Sequence, residues 1–264
     1  MRMNVLLACA VWTVTLTARA DGPATPLTIT SGFNVDAVAE GSGPAADSTS
    51  GGIDSLHSVF YDSSYDTSHG NLGGALPAGQ TVTDASGNQY SLAPATGNNA
   101  LLIGNGNSSG SLTVSYATNS SLTGLLLLGT SVDGGTILDY TLNFSGGTTA
   151  SGTVSFADWH DYGNNGVFTG LGRVNQSDDF SGRGSLYAEN IDIPLADQLL
   201  QLQSISFSYD AGNGNIDGLS PSAAILGVSA FDPIIATPEP STNGLLICGA
   251  PILALLARHR LFKK

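Results

Sequence analysis

From Leu27 to Phe231 the chain alternates apolar and polar residues with period two, in short runs divided by glycine-rich turns, the pattern of half-buried strands. The runs are "LTIT", "SVFYD", "QTVTD", "NQYSL", "ALLIG", "SLTVSY", "LTGLLLLGT", "TILDYTLNF", "ASGTVSFAD", "SISFSYD" and "AILGVSAF". Gly-Gly, Asp-Gly, Ser-Gly and Gly-Asn pairs stand between them at intervals of about ten residues, which predicts an antiparallel β-sandwich or barrel. Leu125 to Leu128 breaks the alternation with a continuous apolar run, the mark of a central strand covered on both faces. One or two helical turns are expected only in "LADQLLQLQ", Leu195 to Gln203. Glu40 to Gly52, "EGSGPAADSTSGG", reads as a long loop too polar to pack.

The two ends follow another pattern. Arg2, the apolar run Val5 to Leu16 and the small-residue site Ala18-Arg19-Ala20 form a secretory signal peptide helix over residues 1–20, to be removed by signal peptidase after passage through the export machinery. At the other end, Pro238-Glu239-Pro240 precedes an apolar stretch from Gly244 to Ala257 and a basic terminus of Arg258, Arg260, Lys263 and Lys264. As a helix this stretch is shorter than the roughly 20 residues of a full span, and the basic groups would hold its end on the cytoplasmic side. It is a short transmembrane anchor that stops transfer.

Composition narrows the middle, residues 21–237. Arg173 and Arg183 are its only basic residues, against 20 carboxylates, a formal charge of −18. Such a surface repels phosphate backbones, which excludes nucleic acid as a partner, and suits divalent cations and neutral glycans. Both cysteines, Cys9 and Cys248, lie in the end segments, so the middle has no internal disulfide and rests on burial and backbone pairing. Lysine is absent there and glutamate occurs only as Glu40 and Glu189, leaving few helix formers.

The triplet Pro238-Glu239-Pro240 followed by Ser241, the apolar segment and the arginine-bearing end resembles the PEP-CTERM sorting signal of bacterial envelope proteins over residues 238–264. The resemblance implies an exosortase-like membrane protease as partner, with Pro238, Glu239, Pro240, Arg258 and Arg260 as the recognised elements. It also implies a route through an inner-membrane anchored intermediate to the cell envelope, cell surface or extracellular space. The series "GFNVDAVAEG", "LPAGQTVTDASGNQYSLAP", "NNALLI", "GSLTVS", "DW" and "GLGRV" resembles an exported bacterial β-sandwich domain, jelly-roll-like and similar in appearance to galactose-binding carbohydrate modules. The implied fold is all-β, a single jelly-roll-like antiparallel sandwich.

Three places are candidates for chemistry. In Asp158-Trp159-His160-Asp161-Tyr162, Trp159 offers a face for a sugar ring and Asp158 and Asp161 offer acceptors for its hydroxyls; the alternative is that Trp159 is a buried anchor at a strand end. In "DAGNGNIDG", the oxygens of Asp210, Asn213, Asn215 and Asp217 suit calcium, though position twelve from Asn213 is Ala224 where an EF-hand needs glutamate; otherwise the segment is a polar turn. Gly106-Asn107-Ser108-Ser109-Gly110 matches the nucleophile-elbow pattern, but strands flank it and it reads as a hairpin loop. His57, His69 and His160 have no zinc spacing, and nothing singles out a pair of carboxylates for glycoside hydrolysis. The expectation is a non-catalytic surface or extracellular-matrix protein, with a glycan-binding module, possible partner an exopolysaccharide, as the alternative and a polysaccharide hydrolase last.

Overall fold

The structure, a computed structural model, describes residues 22–104, 106–116, 121–160, 166–209 and 221–232. The chain divides after Pro233, and all of these residues belong to the first unit. In chain order the strands are β1 (Thr25–Pro26), β2 (Thr28–Ser31), β3 (Val38–Ala39), β4 (Ser58–Tyr61), β5 (Thr81–Thr83), β6 (Gln89–Ser91), β7 (Leu101–Ile103) and β8 (Ser109–Ser115). They continue as β9 (Gly124–Val132), β10 (Thr136–Phe144), β11 (Thr149–Phe156), β12 (Phe168–Asn175), β13 (Phe180–Asp192), β14 (Leu202–Tyr209) and β15 (Ser222–Phe231). Two short helices, α1 (Ala45–Ser48) and α2 (Ser63–Ser68), flank β4. No helix among the described residues is long and apolar enough to cross a membrane. The apolar stretches near both termini lie outside the described residues.

The strands form an eight-stranded sheet, ordered β1-β15-β9-β13-β12-β4-β3 with β7 also on β15, and a five-stranded sheet ordered β11-β10-β14-β8-β2. A separate hairpin joins β5 and β6. All ladders are antiparallel except the short β3–β4 pair. From β7 onward the chain moves back and forth between the two large sheets, so their inner faces close on one core. Leu112, Leu138, Leu142 and Phe207 from one sheet meet Leu125, Leu127, Ile191 and Ile225 from the other.

The large sheet is buried on its second face as well. Leu126 and Leu128 of β9 and Ala224 and Leu226 of β15 pack there against Tyr90 and Leu92 under the β5–β6 hairpin, so every residue of β9 is buried, as its unbroken leucine run requires. On β15, Ala223 and Ile225 face the inner core, and so do Val228 and Ala230. The change from odd to even follows from a register shift between Ile225 and Gly227, where one extra residue turns the strand over by half a period.

Each of the eleven apolar-alternating runs holds a strand, but β12 and β13 are not among them. Gly170, Gly172, Gly182 and Gly184 stand where alternating side chains would signal a sheet. Their absence of side chains is used, because a Cβ on Gly172 would run into the Tyr61 ring and one on Gly184 would press on Arg173. Two other expectations are corrected. Glu40 to Gly52 is not an unpacked loop: Ala45 is fully buried at the start of α1, Asp178 accepts its N–H at 2.7 Å, and Ser50 Oγ accepts the Asp36 N–H at 2.7 Å. Leu195 to Leu200 forms a turn rather than helix, and Leu202 and Gln203 enter β14. Leu195 and Leu199 are 81% and 86% exposed, so these two leucines bury no face that would hold a helix in place.

Candidate functional site

The segment after β11 folds back on the large sheet. The Trp159 N–H donates to the Ser131 carbonyl at 2.8 Å, and the Ser185 N–H donates to the Trp159 carbonyl at 3.1 Å, so the tryptophan is pinned between β9 and β13. Its side chain is fully buried. The Arg173 guanidinium of β12 lies 4.2 Å above the ring, and the Phe60 edge meets it with centroids 5.4 Å apart. Trp159 therefore occupies the place of a packing anchor, with no face open to a sugar.

Arg173, itself 1% exposed, continues the cluster. One terminal nitrogen donates to the Ser181 carbonyl at 2.9 Å and to His160 Nε2 at 2.6 Å. A guanidinium has only hydrogens to give, so Nε2 is the acceptor and the ring proton sits on Nδ1, which faces Asp158 Oδ1 at 3.2 Å. Asp158 also takes the His160 N–H at 2.7 Å and the Gly134 N–H at 2.6 Å. The row Asp158–His160–Arg173 looks like an acid-base relay, yet the imidazole lone pair a general base would use is occupied by Arg173. Its chemistry is that of a clasp joining the β9–β10 turn, the 158–160 segment and β12. Asp161 lies outside the described residues.

A second polar cluster surrounds β3, β4 and α2. Asp62 caps α2, accepting the Ser64 and Tyr65 N–H groups at 2.9 Å each. Asp178, in the left-handed conformation of the β12–β13 turn, accepts the Tyr65 hydroxyl at 2.8 Å. Burial, aided by that hydrogen bond, raises the Tyr65 pKa well above the ordinary phenol range. Asp36 accepts the Asn99 amide at 2.7 Å, but burial outweighs the bond and raises its pKa. Glu40 is raised by burial and then by the charges of Asp36 and Asp62, and its Oε2 is buried without a hydrogen-bond partner among the described residues. On the same face of this lobe as Tyr65, Arg183 donates to the carbonyls of Gly73 and of Leu72, the latter at 2.8 Å, and Tyr61 donates to Gly73.

Among the described residues no group of three or more His, Cys, Asp or Glu side chains is placed to hold a metal ion. Asp210, Asn213, Asn215 and Asp217 lie outside the described residues, in the connection from β14 of one sheet to β15 of the other. Gly104 and Asn107 exchange backbone hydrogen bonds, and β8 begins at Ser109, inside the Gly106 to Gly110 segment. With no helix after the turn, the strained strand-to-helix bend of a nucleophile elbow is not built there. Pro238, Glu239, Pro240, Arg258 and Arg260 lie outside the described residues too.

The outer face of the five-stranded sheet carries no sequence motif and was not singled out by any. Register places its outward side chains in straight rows: Thr153, Asp139, Ser208 and Ser109; then Ser151, Thr141, Ser206 and Ser111; then Thr149, Asn143, Ser204 and Thr113. Strand geometry sets these groups about 4.8 Å apart within a row and nearly 7 Å between rows. Thr141 and Ser151 hydroxyls are 3.1 Å apart, and Ser206 donates to Ser111 at 3.3 Å. One carboxylate, Asp139, stands in these three rows. The signal in the sequence was the polar half of each alternation, serine or threonine almost every time.

Neither models of known protein families nor curated proteins match this chain.

Proposed function

We propose that the chain is an exported, non-catalytic protein of the bacterial surface or extracellular matrix, delivered through a PEP-CTERM-type signal to an exosortase-like protease. The observation that carries this reading is the order of Pro238-Glu239-Pro240, the apolar stretch Gly244 to Ala257, and Arg258 and Arg260 at the end of a chain that opens on a signal-peptide pattern. The all-β body between them, with two large sheets exchanging consecutive strands, supports a jelly-roll-like assignment. The capture of the His160 lone pair by Arg173 supports a structural rather than catalytic role for the densest polar cluster. Mass spectrometry of the protein from an exporting host with an exosortase should recover no peptide beyond the Pro238 to Pro240 region. An intact Lys264 terminus on most molecules would overturn the sorting assignment.

A second reading, a glycan-binding module, draws on the hydroxyl rows. They form a nearly uncharged face on a domain of charge −18, which fits a neutral polysaccharide better than an anionic one. Retention on neutral but not sulfated polysaccharide, lost when Thr141 and Ser206 are replaced by aspartate, supports it; equal retention of the variant refutes it. Calcium at the Asp210 to Asp217 loop is tested separately, by thermal unfolding in calcium against sodium chloride of equal ionic strength.

A further inference from the structure

We propose that β11 is a self-pairing edge, along which two copies of this chain join antiparallel about a two-fold axis perpendicular to the sheet. An edge strand exposes a row of unpaired N–H and C=O groups, and proteins that remain monomeric shorten, bulge, cover or charge such strands. Among the described residues the other outer edges of the two large sheets are guarded. β1 and β3 are two residues long, β7 has three, and β2 has four with a register shift between Ile29 and Ser31. β11 is different on every count. Its eight residues, "TASGTVSF", hold straight register against β10 from Thr149 to Phe156, with no proline and no charge.

Its chemistry favours a second copy of itself. A two-fold axis sets each residue opposite a residue of the same strand, so a charged edge would oppose its own sign. β11 presents Thr149, Ser151, Thr153 and Ser155 outward, none of which can do so. Two bodies of charge −18 meet with least repulsion along such a neutral strip. With the axis perpendicular to the sheet both hydroxyl faces lie on one side, and the rows run on from one copy into the next. One strand ladder buries less than the roughly 1,200 Å² at the low end of stable interfaces, so the pairing is weak and grows with local concentration.

The test is a cysteine scan in the full chain with Cys9 and Cys248 replaced by serine. Thr149→Cys, Ser151→Cys, Thr153→Cys and Ser155→Cys are oxidised at high protein concentration, alone and mixed in pairs, with Ser111→Cys on β8 as the control. Facing Cβ atoms in an antiparallel pair lie about 4.5–5.5 Å apart and diagonal ones farther, so disulfide forms only near true register. Reducible covalent dimer should concentrate in the pairings of one register, for example Ser151→Cys with itself together with Thr149→Cys mixed with Thr153→Cys, at least tenfold above the Ser111→Cys control, with thermal midpoints unchanged. Dimer spread evenly over all positions including Ser111, or absent throughout β11, overturns the proposal.

Discussion

In the five-stranded sheet each strand turns one row of side chains to the core and one to solvent. In the lobe of β4, β12 and β13 both faces are covered: Phe60, Trp159 and Arg173 fill one, and Tyr61, Tyr65 and Val174 the other. The sheet is specified by an average property, since any apolar inward residue and any small polar outward one would sustain its pattern. The lobe is specified by particular pairs: a glycine under a tyrosine, a guanidinium over an indole, a carboxylate against a phenol. A single change should therefore cost far more in the lobe than on the outside of the sheet.

The strongest attempt to break that contrast is Trp159→Ala. It removes a fully buried indole and the surface on which Arg173 lies, and should lower stability by about 3–5 kcal/mol in urea unfolding. A loss below about 1 kcal/mol would mean the lobe tolerates substitution as a generic core does. Gly172→Ala comes next, at about 1–3 kcal/mol, because its methyl meets the Tyr61 ring. Tyr61→Leu should recover part of that cost in a double-mutant cycle, whereas simple additivity would place the strain elsewhere.

Titration sharpens the comparison further. Burial raises the carboxyls of Asp36, Glu40 and Glu189, so these groups favour the folded state below the ordinary carboxylate range, and that contribution is lost as pH rises through their raised values. Asp84 is opposite in sign. Burial pushes it up, but hydrogen bonds from Asn88, Tyr90 and Ser86 together hold it below its usual value, so its contribution is present at neutral pH and fades as pH falls through that depressed value. Thermal stability should therefore peak in mild acid rather than at pH 7, and Asp36→Asn should flatten the alkaline side of the peak. An unchanged profile in that variant would remove Asp36 as a cause. The smallest effect is expected on the sheet: Thr141→Ala and Ser206→Ala should each fall within about 0.5 kcal/mol of the parent. A larger loss from either would show that the hydroxyl rows help to hold the fold.

Legibility in the sequence followed the same division. β10 matches "TILDYTLNF" from Thr136 to Phe144 because alternation needs only the identity of each residue's own side chain. β12 and β13 showed no alternation because their glycines make room for Tyr61, over a hundred residues earlier in the chain than Gly172, and for Arg173 across the β12–β13 turn from Gly184. The Asp158 to His160 segment was legible as polar and aromatic density, but whether Trp159 faces solvent depends on Arg173 and Phe60, which its neighbours do not encode. The hydroxyl rows were written as the outward half of separate strands, and only the register across β11, β10, β14 and β8 makes one surface of them.

The two arginines have a consequence for resistance to proteolysis. Between residues 21 and 237 there is no lysine, so a trypsin-like protease has only Arg173 and Arg183 to cut after. Arg173 lies in mid-strand with β4 on one side and β13 on the other, and Arg183 is paired to Gly172 with its guanidinium on the 72–73 backbone. Such enzymes need the chain drawn out into their cleft, which here means dismantling the ladders first. While folded, the body presents these common secreted proteases with nothing to cut.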